Sequence, residues 1–135
     1  MNINYTKEAI KSLRVAQSSS PLSQGIKFGN LIFLSGQLGR NPTTGKLESG
    51  FDAQATRVMN NLKDILEDAN SSMDMVLKTT IRVTDRKKAK NLNAIYKKFF
   101  NEPLPARSCV EVSALGLDGE AELEIELIAY CHEDS

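Results

Sequence analysis

A chain of 135 residues, 41% hydrophobic and 25% charged, has the size and composition of a single globular domain over residues 1–135 that needs no disulfide or metal to fold. Its 17 basic and 17 acidic residues cancel, so nothing attracts nucleic acid in general, and nucleic acid is a disfavoured partner. The longest apolar run, residues 31–34, is far too short to cross a bilayer, which excludes a membrane-spanning segment and a membrane partner.

The first predicted elements are short strands. Residues 3–5 begin a first strand in this interpretation, and residues 26–36 (IKFGNLIFLSG) predict two strands that meet at Gly29-Asn30. This dipeptide suits a two-residue hairpin turn with positive φ angles. Residues 41–45 (NPTTG) then predict a loop, because proline and glycine interrupt strand pairing.

Residues 51–69 predict an amphipathic helix. Apolar side chains recur every three or four positions, at Phe51, Ala55, Val58, Leu62, Ile65, Leu66 and Ala69. Ser49 is the predicted N-cap, because its hydroxyl can accept a hydrogen bond from the first helical turn. Residues 70–72 (NSS) are predicted to close the helix.

A strand and a second helix are predicted next. In residues 76–83 (VLKTTIRV) the alternation places Leu77, Thr79, Ile81 and Val83 on one face and Lys78, Thr80 and Arg82 on the other. Asp85 is the predicted cap of the second helix, whose apolar stripe is Ala89, Leu92, Tyr96, Phe99 and Phe100. Pro103 and Pro105 are expected to end this helix.

Two last strands, near residues 106–113 and 121–130, complete an α+β domain with two helices on one face of a mixed sheet. The side chains expected beneath the helices are Ser108, Val110, Val112, Leu123, Ile125 and Leu127. The other face is expected to carry Lys78, Arg82, Arg107, Cys109, Glu111, Glu122, Glu124 and Glu126. Such a polar face is either solvated, with scattered ion pairs, or a surface for subunit assembly whose charges converge on a ligand.

The two cysteines, Cys109 and Cys131, have no CxxC spacing and are interpreted as reduced thiols. Residues 1–20 contain no apolar signal segment, so a cytoplasmic location is expected. The one histidine, His132, lies in the C-terminal tail, and a catalytic Cys–His pair is therefore not expected.

Residues 105–112 (PARSCVEV) resemble the signature segment of the YjgF/RidA family, the reactive-intermediate deaminases. The resemblance extends over nearly the whole chain, including LSGQ at residues 34–37 and the NPTTG loop. EIE at residues 124–126, together with PARSCVEV, is its most specific part.

The resemblance implies a chorismate-mutase-like fold assembled as a homotrimer, with a site in each cleft between neighbouring subunits. It implies hydrolysis of enamines and imines, such as 2-aminoacrylate and 2-iminopropanoate, to a 2-oxo acid and ammonia, without a metal or an organic cofactor. Arg107 would hold the substrate carboxylate in a bidentate contact, and Glu124 would orient the attacking water and relay protons. Ser35, Gly36 and Cys109 match positions that line the pocket.

Two positions depart from the family pattern. Leu22 follows Pro21 where the family has an aromatic residue, and Ala89 stands where another aromatic often begins the second helix. Both changes remove flat walls from the pocket and widen it. Two alternatives to the deaminase stay open: a non-catalytic regulator that binds a small carboxylate, and an endoribonuclease or translation inhibitor. For Arg107 itself, the alternative is a structural salt bridge with Glu111 or Glu124.

Overall fold

The structure is a computed structural model that describes residues 5–132. Its strands are β1 (Glu8–Ile10), β2 (Gly25–Phe28), β3 (Leu31–Gln37), β4 (Val76–Val83), β5 (Ala106–Glu111) and β6 (Leu123–Tyr130), and its α-helices are α1 (Phe51–Asp68) and α2 (Ala89–Tyr96). One mixed sheet has the order β1-β2-β3-β6-β4-β5, in which β4 and β5 are parallel and the other neighbours antiparallel. The predicted α+β class with a mixed sheet and two helices is confirmed.

The helices cover one face of the sheet, which we call the helix-covered face. Its strand residues are almost wholly buried: Ile32, Leu34, Ile81, Val83, Leu123, Ile125 and Leu127. The α1 stripe packs against them, as predicted, with Ala55, Val58 and Ile65 fully buried. Gly50, with φ 88°, is the N-cap in place of Ser49, and the helix begins at Phe51 as predicted; the positive φ favours glycine at this position.

The hairpin at Gly29-Asn30 is confirmed by the pairing of Phe28 with Leu31. Of the two turn residues only Gly29 has a positive φ, 62°, so the expectation for Asn30 is wrong. A glycine at the first turn position is sufficient for one of the two favoured hairpin turns. The first strand is β1, which pairs with β2; Tyr5 precedes it, and residues 3 and 4 lie outside the described residues.

A bulge in β4 corrects the predicted alternation. Between Val76 and Lys78 the pairing with β6 shifts by one residue, which buries Val76 and leaves Leu77 45% exposed. The prediction that Leu77 shares the buried face is therefore wrong, whereas Thr79 and the residues beyond it follow the predicted pattern.

Two short 3₁₀ turns frame α2. Asp85 caps the first, Arg86–Lys88, by accepting a hydrogen bond from the Lys87 N–H at 3.0 Å; it does not cap α2 itself, whose N-cap is Lys88 without a side-chain hydrogen bond. The second turn, Lys97–Phe99, follows α2 directly. The α-helix thus ends at Tyr96, earlier than the prolines at 103 and 105 would require.

The edge strand β5 presents its faces opposite to the prediction. Thr79 pairs with Arg107 and Ile81 pairs with Cys109, and paired residues point to the same side of a sheet. Arg107 and Cys109 therefore lie on the helix-covered face, while Val110, predicted beneath the helices, is 51% exposed. Alternation separates the two faces of a strand but does not tell which one meets the helices.

The opposite face, which we call the open face, carries both charges and apolar side chains. Glu124 lies on this face. It stands opposite Arg82 in the register of β6 with β4, and Arg82 points away from the side on which Ile81 and Val83 are buried. Its exposed apolar side chains are Phe28, Leu31, Phe33, Val110 and Tyr130, a composition typical of an interaction surface. Neither helix of the described residues is long and apolar enough to span a membrane.

Candidate functional site

A cavity of about 500 Å³ opens at the end of β3. Its lining residues are Ala16, Gln17, Ser18, Ser19, Ser20, Leu22, Gln24, Gly36, Gln37, Leu38, Arg40, Gly45, Asn61, Gly116, Leu117 and Glu124. Its volume lies within the range of small-molecule sites. The cavity therefore contains two of the residues that the sequence singled out, Gly36 and Glu124.

Gly36 and Glu124 lie in direct contact. A Cβ atom built on Gly36 would lie 2.5 Å from the Glu124 Cδ atom, so any larger residue at position 36 would displace the carboxylate. Arg82 Nη1 donates to Glu124 Oε1 at 3.0 Å and lies 2.6 Å from Glu126 Oε1. These carboxylates, Glu126 above all, raise the pKa of Arg82, which therefore stays charged. Glu124 is thus held in place by a permanent cation.

Arg107 has a different support on the helix-covered face. Its guanidinium carbon lies 4.8 Å from the ring centroid of Tyr96, a cation–π contact. The Tyr96 hydroxyl is 2.8 Å from Thr79 Oγ1, and the Phe100 ring packs 4.6 Å away. Burial raises the pKa of Tyr96, so its hydroxyl stays protonated at neutral pH. A neutral, fixed ring therefore orients Arg107.

The salt-bridge alternative for Arg107 is absent from the chain as described. Within residues 5–132 no carboxylate oxygen lies within 4.0 Å of its guanidinium nitrogens. Glu111 instead accepts a hydrogen bond from the backbone N–H of Arg86 at 2.9 Å, and Glu124 pairs with Arg82. The guanidinium edge of Arg107 is left available for an external carboxylate.

Ser35 and Cys109 lie outside the cavity lining. The Ser35 hydroxyl donates to the Ser23 carbonyl at 2.7 Å, and its N–H donates to the Gln24 carbonyl at 2.9 Å, so Ser35 fixes the backbone just before Gly36. Cys109 is an exposed free thiol on β5, two residues beyond Arg107, and Cys131 is free and buried. Neither Ser35 nor Cys109 lines the cavity.

Of the two positions that depart from the family pattern, one lines the cavity and the other does not. Leu22 lines the cavity, as its proposed place in the pocket wall requires, and it is 52% exposed. Ala89 begins α2, as predicted, but is not part of the cavity lining. In the single chain, of these two positions only Leu22 lies where it can shape this cavity.

Within one chain the predicted site residues form two separate groups. Gly36 and Glu124 meet in the cavity, whereas Arg107 and Cys109 lie on β5, on the other side of the sheet. Sequence reasoning missed the support of Arg107 by Tyr96, which was visible only as one member of a helical stripe. It placed Arg82 beside the glutamates without predicting the ion pair. Across the described part of the chain, no three His, Cys, Asp or Glu side chains converge as a metal site would require.

Comparisons with known proteins agree on one family. A family model described as Endoribonuclease L-PSP matches residues 13–131. The 2-iminobutanoate/2-iminopropanoate deaminase of Escherichia coli K12 is 42% identical over 112 residues, which span 81% of this chain and 86% of that protein. The crystal structure of RidA from the Antarctic bacterium Psychrobacter sp. PAMC 21119 has a TM-score of 0.87 and 38% identity, covering 91% of this chain and 98% of the other. The crystal structure of E. coli TdcF with bound serine has a TM-score of 0.86 and 35% identity, covering 93% and 100%.

Proposed function

The chain belongs to the YjgF/RidA family, and on that premise we propose that it hydrolyses reactive 2-imino acids and their enamine tautomers to 2-oxo acids and ammonia. Water adds to the carbon of the C=N bond, the C–N bond then breaks, and nitrogen leaves as ammonia while the oxygen stays as the new carbonyl. The observation that carries the proposal is the carboxylate of Glu124, fixed in the cavity by Arg82 and given room by Gly36.

Arg107 is proposed to bind the substrate carboxylate. A guanidinium presents two parallel N–H groups that match the two carboxylate oxygens, and stacking on Tyr96 leaves that edge accessible. Such a clamp fixes the distance from the carboxylate to the adjacent imine carbon. Positioning of this kind is a large part of catalysis for a substrate that already reacts slowly with water.

Glu124 is proposed to handle the water. Its carboxylate accepts a hydrogen bond from the attacking water, takes a proton as the C–O bond forms, and returns it to the departing nitrogen. Gly36 leaves space for that exchange, and Ser35 holds the strand backbone beside it. Cys109 is proposed to line the part of the site that Arg107 brings from its own subunit, and it takes no part as a nucleophile.

The separation of Arg107 from Glu124 favours a homotrimer in which each site takes Arg107 from one subunit and Glu124 from its neighbour. A closed ring with three equivalent interfaces would complete three such sites. The exposed apolar side chains of the open face supply the area that association would bury, Phe33 and Val110 among them. Light scattering should give about three times the chain mass of 14.9 kDa.

The activity is tested by releasing 2-aminoacrylate with a serine dehydratase and following pyruvate through lactate dehydrogenase. We expect faster pyruvate formation with the protein, and a loss of about 100-fold in Arg107→Ala, because a charge-assisted bidentate contact is removed. Arg86→Ala is the matched control, since Arg86 is exposed and its backbone N–H contact with Glu111 persists. Pyruvate formation at the spontaneous rate in the presence of the assembled wild-type protein would refute the deaminase.

The shared site has its own test. Arg107→Ala and Glu124→Gln chains are each expected to be inactive alone. Unfolded together in equal amounts and refolded, they should regain about a quarter of wild-type activity, because random assembly pairs one intact Arg107 with one intact Glu124 at that frequency. A mixture that stays inactive, although it assembles as the wild type does, would contradict the shared site.

Leu22 favours one second candidate, a non-catalytic regulator that binds a small carboxylate. Its side chain occupies the cavity wall where the resemblance places an aromatic ring. Calorimetric binding of 2-ketobutyrate that requires Arg107, in the absence of turnover, would favour this regulator over the enzyme.

A further inference from the structure

The lining of the cavity that contains Glu124 includes one cationic side chain, Arg40, which the deamination described above does not use. Its backbone is fixed from three sides. The Arg40 N–H donates to the Leu38 carbonyl at 2.9 Å, its own carbonyl accepts from Asn61 Nδ2 at 3.1 Å, and it forms an isolated bridge with Leu47. Arg40 is therefore anchored in the cavity wall.

No carboxylate among residues 5–132 compensates the charge of Arg40. Arg14, Arg57 and Arg82 each have a carboxylate oxygen within 3.0 Å. Arg40 Nη1 donates instead to a neutral acceptor, the Gly45 carbonyl at 3.2 Å, and no carboxylate among residues 5–132 lies within 4.0 Å of its side-chain nitrogens. A guanidinium that lines a cavity and has no carboxylate partner among the described residues can bind an anion there.

A second observation is a buried polar side chain in the wall beside Arg40. Asn61 is 1% exposed, and its Oδ1 has no hydrogen-bond donor within the described chain. A buried acceptor without a donor costs free energy unless a bound polar molecule or water approaches it. Asn61 Nδ2 donates to the Leu38 and Arg40 carbonyls and so fixes this wall, Arg40 supplies the donor that faces a ligand, and Leu22 and Leu117 supply apolar lining.

The cavity is also larger than the smallest substrate of the proposed reaction. 2-Iminopropanoate has the bulk of roughly six water molecules, about 180 Å³. In the single chain the cavity volume is about 500 Å³, which leaves room beside Glu124 for a longer side chain before the neighbouring subunit brings Arg107 to the site. A side chain that ends in an anion would match Arg40.

We propose that Arg40 binds a second carboxylate at the far end of the substrate, which makes this protein selective for the imines of acidic amino acids, 2-iminosuccinate and 2-iminoglutarate. This inference rests on the proposed deaminase function and names its substrate class. One substrate carboxylate contacts Arg107, the imine carbon lies near Glu124, and the other carboxylate contacts Arg40. Hydrolysis is unchanged: water supplies the carbonyl oxygen, and ammonia leaves.

The test compares two imines that differ in the side-chain carboxylate. D-Aspartate oxidase releases 2-iminosuccinate and D-amino-acid oxidase releases 2-iminopropanoate from D-alanine; malate and lactate dehydrogenases report the two oxo acids. In Arg40→Gln we expect kcat/KM for 2-iminosuccinate to fall about 10- to 100-fold, mainly through KM, and that for 2-iminopropanoate to change by less than about twofold. Arg86→Gln, an exposed arginine outside the cavity, is the matched control.

The outcomes separate this inference from the function on which it rests. Equal losses on both imines, or an unchanged rate on 2-iminosuccinate, would overturn the role of Arg40 while the deaminase stands. If the wild-type protein hydrolyses neither imine, the proposed function fails, and calorimetry with oxaloacetate and pyruvate decides about Arg40. Binding of oxaloacetate at least tenfold tighter than pyruvate, lost in Arg40→Gln, would support the anion site; equal affinities would refute it.

Discussion

The two faces of the sheet differ in composition and in what they contact. On the helix-covered face, Ile32, Ile81 and Ile125 are fully buried against the helices. On the open face, Phe33 and Val110 are 42% and 51% exposed, and the ion pair of Arg82 with Glu124 lies on the same side. The helix-covered face therefore stabilises the folded chain. The open face combines apolar area for association with a charged group for chemistry.

The largest effect should come from truncating the helix-covered face. Ile125→Ala leaves a cavity in the centre of the sheet and should lower the free energy of unfolding by about 2–5 kcal/mol. Val110→Ala, on the open face of the edge strand, is the comparison. Urea unfolding at several protein concentrations measures both: the loss in Ile125→Ala should not depend on concentration, whereas that in Val110→Ala should be largest where the protein is associated and should shrink on dilution. The reverse pattern would exchange the roles of the two faces.

A smaller effect is expected when the charged group of the open face is altered. Arg82→Ala removes the cation that holds Glu124 beside Gly36, and we expect kcat to fall about tenfold while KM changes little. Arg82→Lys should recover part of kcat, since one of its ammonium hydrogens can still reach Glu124. Steady-state kinetics on 2-iminopropanoate separates the two constants. A rise in KM alone would indicate that Arg82 binds substrate instead.

Tyr96, which contacts Arg107 on the helix-covered face, should make the stability of the folded chain depend on pH in the alkaline range. The pKa of Tyr96 is raised from 10.0, chiefly by burial, so the unfolded chain loses this proton first as pH rises. The stability that the protonated Tyr96 hydroxyl contributes is fully present below about pH 10, the pKa in the unfolded chain. It is lost as pH rises through the higher pKa of Tyr96 in the folded chain. Tyr96→Phe should cost about 1 kcal/mol at neutral pH, through the lost contact with Thr79, and should remove this decline. Denaturation curves from pH 8 to 11 measure both quantities.

The smallest effect is expected at Cys109. Although exposed beside Arg107, it has no base among its described contacts, so Cys109→Ala should change kcat/KM by about twofold or less. Its matched control is Cys131→Ala, which removes the buried thiol instead. Complete loss of activity in an assembled Cys109→Ala protein would contradict this limited role of Cys109.

Much of the fold was predictable because it depends on local pattern. The apolar stripe located α1, and the Gly29-Asn30 dipeptide located the hairpin. The errors arose where pairing between distant strands decides. The bulge in β4 moved Leu77 to the surface, and the register of β4 with β5 placed Arg107 on the helix-covered face. No short-range signal contains either register.

The candidate site was predictable only through resemblance, and then only in part. The motifs singled out Arg107, Glu124 and Gly36. Alternation placed Arg107 and Glu124 on the same face of the sheet, whereas they lie on opposite faces. The contacts that orient them, Tyr96 under Arg107 and Arg82 beside Glu124, join residues far apart in the chain. Arg40 gave no signal, because its place in the cavity depends on how the loop after β3 returns toward α1.

The exposed edge strand has a consequence for how much of the protein can bind substrate at a given moment. All six residues of β5 are exposed, and within the described chain β5 pairs with β4 alone. Such a strand opens at a lower free energy than the core, so hydrogen exchange at residues 106–111 should be faster than in β6. Each opening removes Arg107 from Tyr96 while the core stays folded. The apparent dissociation constant for substrate is then the intrinsic constant divided by the fraction of chains whose edge strand is closed.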